Sequence, residues 1–68
     1  IMLNKTKIRS VEFGGKFTLH PQSDKFYFKS QENQKPDGTV ISVKCTRVSV
    51  EGGVCYFDPD HIVYKEEV

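Results

Sequence analysis

Apolar side chains recur along this chain in short pairs at every second residue: Val11 and Phe13, Phe17 and Leu19, Phe26 and Phe28. Successive side chains of a strand point to opposite faces, so each pair marks one half-buried strand. Gly14, Gly15 and Lys16 read as a three-residue loop that pairs Phe13 with Phe17 and Val11 with Leu19, keeping all four on one face. Pro21-Gln22-Ser23-Asp24 reads as a four-residue turn. It sets His20 opposite Lys25, places Leu19 near Phe26, and brings Phe17 opposite Phe28.

The segment Gln31 to Gly38 is polar and is expected to be the longest loop, with Pro36 and Asp37 at the centre of a type I turn. A strand from Thr39 to Val50 follows. Ile41, Val43 and Cys45 share one phase and Val48 and Val50 the other, which predicts a bulge or bend near Thr46-Arg47. Glu51-Gly52-Gly53 closes a hairpin that pairs Val50 with Val54 and Val48 with Tyr56. Asp58-Pro59-Asp60 then breaks the strand, and His61 to Lys65 forms a last short one. No segment reads as a helix. The expected fold is all-β: a small SH3-like barrel or a strongly bent five- to six-stranded antiparallel meander, with an OB-like barrel as the alternative. The likeness to SH3 domains is one of architecture, because their aromatic ligand-groove motifs are missing.

Length and charge narrow the function classes. A chain of 68 residues suits one domain, 1–68, that buries only about 60% of its unfolded surface. A formal charge of +1 does not demand a polyanionic partner. Ile1 stands ahead of Met2, as a residue left before a natural start would. The stretch from Met2 to Lys7 lacks the apolar core of a signal peptide, and no later segment is long and apolar enough to span a membrane, so the expectation is cytoplasmic.

Chemistry-bearing residues are sparse. In the expected register Cys45 points to the core and Cys55 lies beside Ser49 on the other face, several rungs away, so two free thiols are expected rather than a disulfide. His20, Cys45, Cys55 and His61 are ligand types without metal-site spacing, and no cofactor motif is present. No nucleophile elbow, phosphate-binding glycine loop or carboxylate pair is visible, and Asp58 and Asp60 are ordinary turn formers. The chain does not read as an enzyme.

The feature that favours binding is Lys25-Phe26-Tyr27-Phe28-Lys29. With Phe26 and Phe28 inward, Tyr27 points out between two lysines, with Thr18 opposite Tyr27, His20 opposite Lys25 and Lys16 opposite Lys29. Such a basic, aromatic face suits a protein partner with an acidic surface, Tyr27 being the rigid anchor. The chain then reads as a small inhibitor, adaptor or accessory subunit, of the kind that phages and mobile elements encode. An exposed edge strand would allow strand addition or a homodimer. The same face suits single-stranded nucleic acid, with Tyr27 stacked on a base and the lysines, extended by Lys7 and Arg9, following phosphates. Lysines beside strands also guard sheets against edge pairing, and the polar loop from Gln31 to Gly38 is a second candidate surface.

Overall fold

A computed structural model describes residues 2–67; Ile1, read as preceding the natural start, lies outside them. The described residues are all-β apart from one short 3-10 turn, Ile8–Ser10. The strands are β1 (Met2–Lys7), β2 (Lys16–Thr18), β3 (Phe26–Gln34), β4 (Val40–Arg47), β5 (Val54–Phe57) and β6 (Ile62–Glu67). They form one antiparallel sheet in the order β1-β6-β2-β3-β4-β5. Strands β2 to β5 are the expected meander, and β6 returns to insert between β2 and β1. The sheet is open, since its edges β1 and β5 do not pair, and neither the SH3-like nor the OB-like barrel closes.

Strand β1 has no counterpart in the apolar pattern, because Met2-Leu3-Asn4-Lys5-Thr6-Lys7 is mostly polar. Its partner defines it: six consecutive residues pair with β6, from Met2 with Glu67 to Lys7 with Ile62. The 3-10 turn continues that contact, Ile8 and Arg9 donating their amides to the carbonyls of His61 (2.9 Å) and Pro59 (3.0 Å). The chain then crosses one face of the sheet, burying Ile8 and Val11. The core lies between this segment and the sheet: Ile8, Val11, Phe17, Val43, Cys45 and Val63, with Leu19, Tyr27, Val40 and Phe57 packed against it.

The expected first hairpin does not form. Val11 is buried beside the 3-10 turn rather than in a strand, and Phe13 is 62% exposed. Gly14 and Gly15 instead swing the covering segment into β2. Gly14 takes φ of +81°, a conformation open to glycine at little steric cost. A Cβ on Gly15 would lie 2.8 Å from both the Glu12 carbonyl oxygen and Val11 Cγ1. This close approach lets Gly14 donate to the Lys29 carbonyl (2.8 Å) and Lys29 donate to the Gly15 carbonyl (3.1 Å).

The next pairing is one residue out of the expected register: Lys16 faces Phe28, Phe17 faces Tyr27 and Thr18 faces Phe26. A slip of one residue exchanges the faces of a strand. Tyr27 therefore points to the core and Phe26 and Phe28 away from it. Two further corrections follow along β3 and β4. Gln31 to Gln34 belong to β3, so the expected long loop is a tight hairpin, with Pro36 and Asp37 at the centre of a turn closed by the Gly38 amide on the Lys35 carbonyl (2.9 Å). The expected bulge near Thr46-Arg47 falls elsewhere: those residues pair regularly with Phe28 and Tyr27, and the extra residues are Ser30 in β3 and Ile41 in β4. Strand β4 ends at Arg47, and Thr46 rather than Val50 opposes Val54.

The Ser30 bulge has an electrostatic consequence. Without it Lys29 and Glu32, three residues apart, would lie on opposite faces of β3. With it both turn toward the covering segment, where Lys29 Nζ meets Glu32 Oε2 at 2.9 Å. Lys29 is 3% exposed. Its ammonium also donates to the carbonyls of Val11 (2.7 Å), Arg9 (3.2 Å) and Ile8 (3.3 Å), and lies 5.1 Å from the centre of the Phe13 ring.

Lys29→Met keeps the stem of the side chain but removes the ammonium from three carbonyls and one carboxylate, leaving those of Arg9 and Val11 without a donor and Glu32 without its counter-charge. The expected cost is about 3 kcal/mol, to be read as a fall in the urea midpoint; an unchanged midpoint would contradict the role given to the ammonium. The Lys29 hydrogen bond, aided by the Lys29 and Arg9 charges and a Gln34 hydrogen bond, holds the Glu32 carboxyl below its ordinary range against the opposing effect of burial. The stability from this pair is therefore complete above the unfolded-state pKa and is lost as pH falls through the lower folded value. Thermal melts from about pH 6 to about pH 2.5 should show a smaller acid loss for Glu32→Gln than for the native chain.

Candidate functional site

The register decides where each expected site residue stands. Tyr27 is half-buried, stacked on Phe17 at 5.7 Å and edge-on to Phe57 at 5.9 Å, so it is a core aromatic and not an outward anchor. Lys29 is the buried clamp and lies opposite Cys45, not Lys16 along the outer face. Thr18 is fully buried and pairs with Phe26 rather than Tyr27; its Oγ1 donates to the Lys25 carbonyl at 2.8 Å. His20 is exposed in the Leu19–Lys25 connection, where its Nδ1 accepts the Gln22 amide at 3.3 Å. The remaining two, Lys16 and Lys25, do come together.

They line a cleft of about 420 Å³ between the β2–β3 connection and the β4–β5 loop. Its other walls are Asp24, Phe26, Arg47 and the Val48–Val50 segment. The Val48 amide donates to the Phe26 carbonyl (2.9 Å), tying that loop to β3. Ser49 takes φ of 67°, unusual for a residue with a side chain. Lys16 Nζ sits 5.1 Å from the Phe26 ring centre and 3.5 Å from Glu66 Oε2. Neither Lys25 nor Arg47 has a salt-bridge partner among the described residues. Two cations without a salt-bridge partner, and Lys16 shared with Glu66, thus line a partly enclosed cleft whose own single carboxylate is Asp24, beside the apolar side chains of Phe26, Val48 and Val50. That arrangement attracts a carboxylate or phosphate group.

The cleft opens beside the outer face of the sheet, the one turned away from the core. One row of this face runs through Leu3, Glu66, Lys16, Phe28, Thr46 and Val54, a residue from each of the six strands. The next row sets Lys44 opposite Tyr56. Phe28 is 40%, Val54 46% and Tyr56 61% exposed. An antiparallel sheet with one solvated face ordinarily alternates apolar in and polar out. Here β3 and β5 carry apolar side chains on both faces. Sequence reasoning missed Phe28, Val54 and Tyr56 because period-two apolar pairs were assigned to the core. The continuous run Val54-Cys55-Tyr56-Phe57, apolar at every position, was the available signal of a two-sided strand.

Cys45 and Cys55 are likewise relocated. They are direct cross-strand partners, not residues on opposite faces, and both are free thiols. His61 tilts against the Phe57 ring at 5.3 Å, and no cluster of three or more metal-ligating side chains occurs among the described residues. No described helix is long and apolar enough to cross a membrane. No protein-family model matches the chain, and no curated protein or solved structure gives a significant match.

The charge imbalance of the cleft has a direct readout. Titration with inorganic pyrophosphate should shift the amide resonances of Lys25, Arg47 and Ser49, and Arg47→Glu should abolish those shifts while leaving the rest of the spectrum in place. Shifts spread evenly over all surface lysines would refute a localised anion site.

Proposed function

We propose that this chain is a non-catalytic protein-interaction module that grips a larger protein with the outer face of its sheet. The observation that carries this reading is the group Phe28 on β3 and Val54 and Tyr56 on β5, exposed on the outer face of the sheet to either side of β4. Contiguous exposed apolar side chains beside polar neighbours characterise docking surfaces. Lys16, Lys25 and Arg47 supply a basic rim that complements an acidic patch on the partner. Strand β5 adds a second element: it is a sheet edge whose four residues include no charge and no proline, so a partner strand or a second copy of the chain can pair with it. A cytosolic inhibitor, adaptor or accessory subunit, such as phages and mobile elements encode, is the role that fits.

A second reading, single-stranded nucleic acid binding, is favoured by one feature: Phe26, Phe28 and Tyr56 share their face with Lys16 and Lys44. Bases stack on such rings at about 1–3 kcal/mol each while lysines follow the phosphates. Salt separates the two readings, because phosphate contacts weaken steeply with ionic strength and a packed protein interface much less.

The deciding experiment is a tagged pull-down from lysate, with and without nuclease and at low and moderate salt, comparing the native chain with Phe28→Ser and Tyr56→Ser. A stoichiometric protein that survives nuclease and moderate salt, and binds each variant at least about tenfold more weakly, is the expected result. Nucleic acid recovered only at low salt would favour the second reading. Undiminished capture by both variants would place the binding surface elsewhere.

A further inference from the structure

The two cysteines stand ten positions apart in the sequence, and the register brings them face to face. Cys45 on β4 opposes Cys55 on β5 within a ladder that also pairs Val43 with Phe57, Lys44 with Tyr56 and Thr46 with Val54. Directly opposed residues of an antiparallel pair have Cα atoms about 4.5–5.5 Å apart, inside the range a disulfide spans. Their Cβ atoms need to close by up to about 1 Å to reach disulfide spacing. Strand β5 can make that adjustment, since it is held on one side only, by four paired residues.

We propose that Cys45 and Cys55 form a cross-strand dithiol site that a small-molecule disulfide, such as oxidised glutathione, converts into an intramolecular bridge pinning β5 to β4. The two thiols are unequal. Cys45 is fully buried and Cys55 half-buried at the edge strand. Burial, and then the neighbouring Cys55, push the Cys45 thiol up to about 11, against the smaller opposing effect of Lys29. The thiolate is the attacking species, so the accessible Cys55 reacts first. Its thiolate attacks one sulfur of oxidised glutathione, a Cys55–glutathione bond forms, and one glutathione leaves as thiolate. Cys45 then loses its proton to solvent and its sulfur attacks Cys55 Sγ, releasing the second glutathione. Two protein thiols are oxidised and one glutathione disulfide is reduced.

The bridge would fix the firmness of an otherwise open edge. Whether that alters partner binding rests on the interaction reading above; formation of the bridge does not, and is tested without any partner.

The full chain is incubated with oxidised glutathione and followed by intact mass, thiol titration after denaturation and thermal melting. The expected product is a monomer lighter by two hydrogens, without free thiols, melting higher by on the order of 10 °C and restored by dithiothreitol. Slower hydrogen exchange of the Val54–Phe57 amides should accompany it. Cys45→Ala should stop at a persistent glutathione adduct on Cys55. A native chain that accumulates stable glutathione adducts, forms disulfide-linked dimers, or keeps both thiols under these conditions would overturn the proposal.

Discussion

The ammonium of Lys29 is the point on which this fold turns. The segment from Ile8 to Val11 crosses the sheet without belonging to it, and irregular backbone in that position leaves carbonyl oxygens facing inward with no ladder to satisfy them. Three of them, from Ile8, Arg9 and Val11, converge on Lys29 Nζ, and Glu32 balances its charge. Among the described residues no buried side-chain nitrogen or oxygen lacks a partner. A lysine so enclosed is uncommon because the desolvation of an unpaired charge is severe. In a domain this small, with six fully buried apolar side chains at its centre, that polar knot does what a larger core would do elsewhere: it fastens the covering layer to the sheet.

The same knot sets the register. Lys29 and Tyr27 share a face of β3, so once Lys29 turns inward Tyr27 follows, and Phe26 and Phe28 are carried to the outer side. Burying the two phenylalanines would hide more apolar surface from water. It would also leave the Arg9 and Val11 carbonyls without a donor, at about 1–3 kcal/mol each, and strip the Ile8 carbonyl of one of its two. The Tyr27 ring recovers part of the difference by packing between Phe17 and Phe57. The outer face that remains, with Phe28, Val54 and Tyr56 in the open, is the consequence that matters for binding.

Charge is divided accordingly. Glu12 pairs with Lys65 at 2.7 Å, and Arg9 and Lys7 with Asp60 at 2.7 and 3.7 Å, so the cations around the covering segment are matched by nearby carboxylates. At the cleft, Lys25 and Arg47 stand without a salt-bridge partner among the described residues, beside Lys16. A net charge of +1 conceals this local excess, because averaging over the chain cancels charges that the fold separates. Exposed pairs of this kind add little stability, and their arrangement bears on recognition rather than on folding.

The amino-acid sequence by itself determined that the chain is all-β, where most strands lie and where two of the turns fall. Period-two apolar spacing and the Pro36-Asp37-Gly38 and Asp58-Pro59-Asp60 signals act over a few residues and need no distant partner. Of the residues the sequence grouped on one candidate face, the fold brings Lys16 and Lys25 to one cleft. Only the tertiary structure decided that Met2–Lys7 is a strand, which of Tyr27 or its phenylalanine neighbours faces the core, that Lys29 is buried, and that Cys45 meets Cys55. Each of these depends on a partner remote in sequence: β6 for β1, the Ile8–Val11 carbonyls for Lys29 and with it Tyr27, and the β4–β5 ladder for the two cysteines. Both faces of β3 are apolar enough to be buried, so local periodicity could not choose between them, and long-range hydrogen bonding made the choice.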